Sequence, residues 1–197
     1  MFIKRILIFI IGCIAYYRFN IANKTTVSGS RVLKGLPQSN VLFVSNHQTY
    51  FADVTGMYQV FCSAKWGVYD RIDKMRYLLN PKLNIYFVAA LETMKAGILP
   101  KVFAYVGSVS IKRTWRKAGR DVDRGVDKGD IHKIFKALGN GWVITFPQGT
   151  TTPYVPGRRG TAHIIKETKP IVIPVVVDGF RRAFDKKGLF LKKKESL

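Results

Sequence analysis

The chemistry available to this chain concentrates between Asn46 and Asp53. The stretch Val41 to Val54 reads VLFVSNHQTYFADV: an apolar strand delivers Asn46-His47 at its exit, and a carboxylate follows at Asp53. An imidazole titrates near neutrality, so a histidine held at a strand end can take a proton from a hydroxyl. A carboxylate beside it fixes the tautomer and steadies the imidazolium that forms. A lone histidine near an apolar strand is more often a satisfied structural residue, so the pair needs support from the rest of the chain.

The elements that must position it are short and alternate in type. After VLFVS, apolar residues at helical spacing cover Phe51 to Phe61, and NIYFVAA (Asn84 to Ala90) reads as a second buried strand. Helical periodicity from Met94 to Tyr105, interrupted at Pro100, leads into a short strand, Gly107 to Ile111, that ends in Lys112-Arg113. Thr114 to Asp130 is strongly charged and reads as a solvated loop. Ile131 to Leu138 is a helix closed by Gly139-Asn140-Gly141. Trp142 to Phe146 is a strand running into Pro147-Gln148-Gly149-Thr150; Gly160 to Glu167 is helical, and Ile171 to Val177 is a last buried strand. Asn23 to Asn40 is polar and reads as strand fragments and turns. Strands alternating with helices predict an α/β layered fold, a mixed sheet flanked by helices. Residues 21–197 then form one domain behind an N-terminal helix, 1–20.

That helix carries Lys4 and Arg5 ahead of an unbroken apolar run from Ile6 to Tyr17, closed by Arg18. The run is shorter than the about 20 residues that span a bilayer. Its tyrosines and cations suit a shallow membrane anchor. The alternatives are a span with snorkelling flanks, a buried core helix, or a lipoprotein-like cleavage site before Cys13. Lys and Arg total 33 against 12 Asp and Glu, a net charge of +21, so the partner is anionic: a membrane face, a phosphorylated substrate or nucleic acid. No zinc-finger spacing or RNA-binding signature supports the last of these. Cys13 and Cys62, without a CxxC, read as unpaired thiols in a reducing compartment, and no metal site is expected.

Four strands end in polar or basic punctuation: Asn46-His47, Lys112-Arg113, Pro147 to Thr150 and Asp178-Gly179. In an open α/β sheet such ends gather around one crevice if the strands run parallel. Gly149 lets backbone amides approach a ligand, and Arg113, Arg158 and Arg159 offer fork-shaped donors to phosphate. Together, Asn46-His47 with Asp53, Gly107 to Arg113, Phe146 to Thr150 and Val172 to Val175 resemble the four ordered blocks of the glycerolipid acyltransferases. Bacterial lysophosphatidate acyltransferases are the nearest likeness.

That resemblance implies a function. His47 would deprotonate the acceptor hydroxyl for attack on acyl-CoA or acyl-carrier protein, with Asp53 orienting it. Asn46, Lys112, Arg113, Gln148, Gly149, Thr150, Arg158 and Arg159 would bind substrate, and Val172 to Val175 would wall the acyl chain. No bound cofactor or metal is implied, because a thioester carbonyl is already activated. The partners would be the lysophospholipid acceptor, the thioester donor and anionic lipid at the cytoplasmic face of an inner membrane, with no nucleic acid. The chain departs from the family at particular residues. Five residues, Gln48 to Ala52, separate His47 from Asp53, one more than usual, and neither spacing lies on one helical face, so a turn must bring the pair together. Gln148 stands for the usual glutamate, Thr151 for a frequent arginine and Lys112 for an acid. The end soon after the fourth block reads as a truncated C-terminus. The alternatives are an N- or O-acyltransferase for another lyso-lipid such as an amino-acid lipid, an inactive scaffold of the same family, or a non-enzymatic basic domain that binds membrane or nucleic acid.

Overall fold

A computed structural model describes residues 2–95, 98–112, 116–117, 120–121 and 128–192. In chain order the elements are α1 (Phe2–Tyr16), β1 (Val41–Ser45), α2 (Ala52–Lys65), β2 (Ile85–Ala90), α3 (Leu91–Lys95), α4 (Ile98–Gly107) and β3 (Ser108–Ile111). There follow the small hairpin β4 (Arg116–Lys117) and β5 (Arg120–Asp121), then α5 (Lys128–Asn140), β6 (Trp142–Thr145), α6 (Arg159–Thr168), β7 (Ile171–Val175) and α7 (Phe180–Ala183). A π-helical turn, Tyr17–Ala22, extends α1.

Five strands form one sheet in the order β3-β2-β6-β1-β7. Every pairing in it is parallel, so the expected mixed sheet is corrected to a parallel one. Side chains alternate between faces along each strand. Val41, Phe43, Ile85, Phe87, Trp142 and Ile144 face α2, α1 and α4 through Val54, Met57, Phe61, Ile8 and Phe103. Leu42, Val143 and Val109 face α5 and α6 through Ile134, Leu138 and Ile164. Helices on both faces explain why these strands read as continuous apolar runs.

Two segments depart from the sequence reading. Ile171 to Val177 is not a buried strand: β7 occupies the sheet edge, with Ile171 44% and Val176 85% exposed. Asn23 to Asn40 holds turns and one 3-10 turn, Ser30–Leu33, and no strand.

α1 lies against the domain with Ile8, Gly12 and Ala15 buried, and Gly12 sits so close to Leu78 that a Cβ would collide with it. Both of its cations bond to the domain: Lys4 Nζ, partly buried, donates to Ile85 O at 3.1 Å, and Arg5 donates to Asn80 Oδ1 at 2.6 Å at the surface. Burial lowers the Lys4 ammonium to a pKa of about 8. The opposite side of α1 exposes Phe2, Ile3, Ile6, Phe9, Ile10 and Ile14. Among the described residues, no helix is long and apolar enough to cross a membrane.

Candidate active site

Strand order decides where a ligand can enter. From β1 the chain leaves through α2 toward β2, on one side of the sheet order, whereas from β6 it leaves through α6 toward β7, on the other. β1 and β6 are hydrogen-bonded neighbours, Val44 opposite Thr145, so their connections diverge and open a crevice beyond their carboxyl ends. The two residues that face each other across this gap are His47, two past the end of β1, and Phe146, one past the end of β6. Their rings stack at 4.0 Å and 20°.

The turn from Asn46 to Phe51 solves the spacing problem. Asp53 lies in the first turn of α2 and is fully buried. Its Oδ2 accepts from His47 Nδ1 at 2.9 Å and from the Gln48 amide at 2.6 Å. The Thr49 amide reaches both carboxylate oxygens, and the Thr49 hydroxyl donates to Oδ1 at 2.9 Å. Four separate groups thus compensate a buried charge that would otherwise be costly. The extra residue between His47 and Asp53 is taken up by a chain that wraps the carboxylate. With Nδ1 engaged, Nε2 is the imidazole nitrogen left for a substrate proton, and the side chain is 13% exposed.

His47 opens into a cavity of about 600 Å³. One wall is apolar: Phe87, Val88, Ala89, Met94, Ile134 and Ile164. The rim carries Lys112, Gly149, Thr150, Arg158 and Arg159. Gly149 takes φ +64° and closes a turn through its amide to Phe146 O at 2.9 Å, a conformation suited to glycine. Arg158 and Arg159 stand at the N-terminus of α6, where the helix dipole adds to their charge. Arg158 is fixed through its amide to Pro147 O at 2.9 Å, and its Nε donates to Gln148 O at 3.4 Å. An imidazole, an apolar wall and a cationic rim in one cavity suit a ligand that is part hydrocarbon and part anion.

The other sequence-derived candidates fall elsewhere. Asn46 does not line the cavity: its carboxamide donates to Val177 O at 2.7 Å and accepts from Val177 N at 2.8 Å, tying the end of β7 to β1. The Gln148 carboxamide is likewise spent on the backbone, donating to Val155 O at 2.9 Å. A glutamate could not make this bond. Arg113 lies outside the described residues. Asp178-Gly179 and the Ile173-Pro174-Val175 run do not reach the His47 cavity. They line a second one, about 470 Å³, between β7, α2 and residues 23–33, because the edge strand turns its free side that way.

Some residues that shape the site were not singled out from the sequence. Asp130, read as part of a solvated loop, is buried at the start of α5, accepts from Lys112 N at 2.7 Å and pairs with Lys133 at 2.7 Å. It secures the exit of β3 beside the cavity. Its proximity to a helix start was the available cue, hidden in a run of charges. Arg181 was one cation among many, and only its geometry distinguishes it. Cys62, buried with its thiol pushed up to about 11, and Cys13 are both free, which fits the reading as unpaired thiols.

Comparison with curated proteins and with solved structures gave no significant match. A protein-family model described as Acyltransferase matches residues 24–178, which spans β1 to the end of β7 and both halves of the His47–Asp53 pair. On that match, carried over most of its length, the chain belongs to the acyltransferase family.

Proposed function

We propose that the protein moves a fatty acyl group from a thioester, acyl-CoA or acyl-carrier protein, to the free hydroxyl of lysophosphatidate, giving phosphatidate. The observation that carries this reading is the His47–Asp53 pair opening into a cavity with a hydrocarbon wall and a cationic rim. His47 Nε2 accepts the hydroxyl proton as the oxygen attacks the thioester carbonyl. The resulting oxyanion collapses, the C–S bond breaks, and the thiolate leaves with the proton from His47. Amides of the Gly149–Thr150 turn are suited to the developing oxyanion or to a phosphate oxygen. Lys112, Arg158, Arg159 and the start of α6 favour an acceptor that carries a phosphate.

The same reading puts the enzyme on anionic lipid at a cytoplasmic membrane face. Support comes from the exposed apolar side of α1 and from the excess of cations. The apolar run of this helix, Ile6 to Tyr17, covers only about 18 Å of helix, which favours lying in the interface over crossing it. One observation favours a different acceptor: Gln148 spends its carboxamide on the fold and Thr151 is buried, so neither adds charge to the rim. An amino-acid lipid or another lyso-lipid is the acceptor in that second reading.

The test is thioester consumption by membranes carrying the protein, with lysophosphatidate as acceptor. Wild type is expected to form phosphatidate, and His47→Ala to lose about 10²–10⁴-fold in rate. Turnover seen only with amine-bearing lyso-lipids would establish the second reading, and equal turnover by His47→Ala would remove His47 from the chemistry.

A further inference from the structure

The family match ends at residue 178, yet the segment that follows returns to the catalytic turn. α7 and its extension, residues 180–192, make three kinds of contact there. Arg181 donates through one guanidinium nitrogen to His47 O at 3.3 Å and to Thr151 O, and its own amide donates to Gln48 Oε1 at 3.2 Å. The amides of Tyr50 and Phe51 donate to Lys186 O at 3.3 Å and Lys187 O at 2.9 Å. Gly188, at φ +76°, packs so closely that a Cβ would stand 2.5 Å from Ala52 N and 2.8 Å from Thr49 Oγ1. Phe184, buried against Phe19 and Phe180, anchors the segment to the body of the domain.

These contacts are distributed in a way that matters for catalysis. His47 O belongs to the loop leaving β1, which carries the base. Thr151 O belongs to the loop leaving β6, which carries Gly149 and Thr150. The β1–β6 ladder ends at Val44 and Thr145, so beyond it the two loops have no strand pairing to hold them in register. Arg181 joins them with a planar, always charged group whose donors are fixed in direction. We propose that Arg181 is a positioning residue that holds the base loop to the Gly149–Thr150 loop, with residues 184–188 bracing the turn that wraps Asp53. This rests on the reading of His47 as the base for acyl transfer. The reacting hydroxyl is gripped by one loop and deprotonated from the other, so a shift of about 1 Å between them costs on the order of 10²-fold in rate.

The experiment compares Arg181→Met, Arg181→Lys and Gly188→Ala with wild type in membranes. The control is Arg182→Met, since the Arg182 side chain is exposed and lies 3.9 Å from Asp178, away from the His47 turn. Arg181→Met is expected to lower kcat 10- to 100-fold with the KM for acceptor changed less than about threefold. Millimolar guanidinium should restore part of that loss, Arg181→Lys should retain more activity than Met, and the control should match wild type. Gly188→Ala should lower kcat in the same way by pushing on Thr49 and Ala52. A second readout needs no turnover: the His47 Nδ1–H proton resonance, carried downfield by the Asp53 carboxylate, should shift or broaden in Arg181→Met and stay put in Arg182→Met. Wild-type kcat in Arg181→Met, or a deficit that guanidinium leaves untouched while the melting temperature falls, would reduce Arg181 to a structural role. An unchanged His47 resonance would overturn the proposal as well. If the wild type transfers no acyl group to any lyso-lipid, the acyltransferase reading of the site fails, and the resonance still decides whether Arg181 orders the His47 turn.

Discussion

At the scale of single residues, the site depends on how a buried carboxylate is satisfied. Asp53 takes bonds from His47, Gln48 N, Thr49 N and the Thr49 hydroxyl, so its oxygens keep donors whether or not the imidazole is present. Asp53→Asn should therefore do two separable things. Losing the acceptor for Nδ1 misdirects the imidazole and should cut kcat by about 10²–10⁴-fold. Placing an amide nitrogen among N–H donors should also lower stability by about 1–3 kcal/mol. Thr49→Val removes one donor of several and should cost about 1 kcal/mol with kcat within tenfold; denaturant unfolding and thioester turnover separate the two effects. The residues visible in the sequence, His47 and Asp53, are the pair that the fold brings together beside the larger cavity. Thr49 and the Gln48 amide were not visible, because amides and hydroxyls look alike until the chain is bent around them. Gln148 and Asn46 show the converse: polar residues in a recognisable motif whose side chains serve the backbone.

At the scale of elements, apolar runs reported strands well and their neighbours poorly. VLFVS, NIYFVAA and the run from Trp142 became β1, β2 and β6, which are covered on both faces. IVIPVVV carries an equally apolar signal and lies at the edge, because hydrophobicity records a preference for burial and says nothing of which strand sits beside which. Parallel pairing was legible only through the intervening helices. The helix α1 presents the clearest element-scale prediction. Its inner side is held by Ile8, Gly12, Ala15 and the Lys4 and Arg5 hydrogen bonds to the domain, so substitutions on its outer side should leave the fold intact. Replacing Phe2, Ile6 and Ile10 together by Asp should abolish flotation with anionic vesicles while thermal unfolding changes little. Retained flotation would move membrane attachment, if any, to another surface.

At the scale of the whole molecule, the charge of +21 predicts that the proposed association with anionic lipid weakens with salt, since exposed cations are screened beyond about 10 Å at 0.1 M salt. Stability should also respond to pH in an unusual direction. Burial lowers both Lys4 and Lys82 to about 8, against an unfolded value of 10.5. Above pH 8 the folded chain gives up protons that the unfolded chain keeps, so stability rises with pH. The raised thiol of Cys62 and the raised phenols of Tyr58 and Tyr77 oppose this once their unfolded counterparts begin to ionise near pH 9 and 10. The expected result is a rise in unfolding free energy between pH 8 and 9, flattened in Lys4→Met; a flat profile in wild type would show that neither amine is held in its neutral form. The strand order has a further consequence, in time. β6, the middle strand, is joined to β1 and β2 only after Trp142 to Thr145 has been made, about a hundred residues later than β1. Until then β1 and β2 each present a long, apolar, unpaired edge, the kind of surface that draws chaperones and promotes misassembly. His47 is synthesised early but lacks Phe146 and the Gly149–Thr150 turn beside it until β6 seats itself, so on the proposed reading a nascent chain carries the base for about half of its synthesis before the site around it can form.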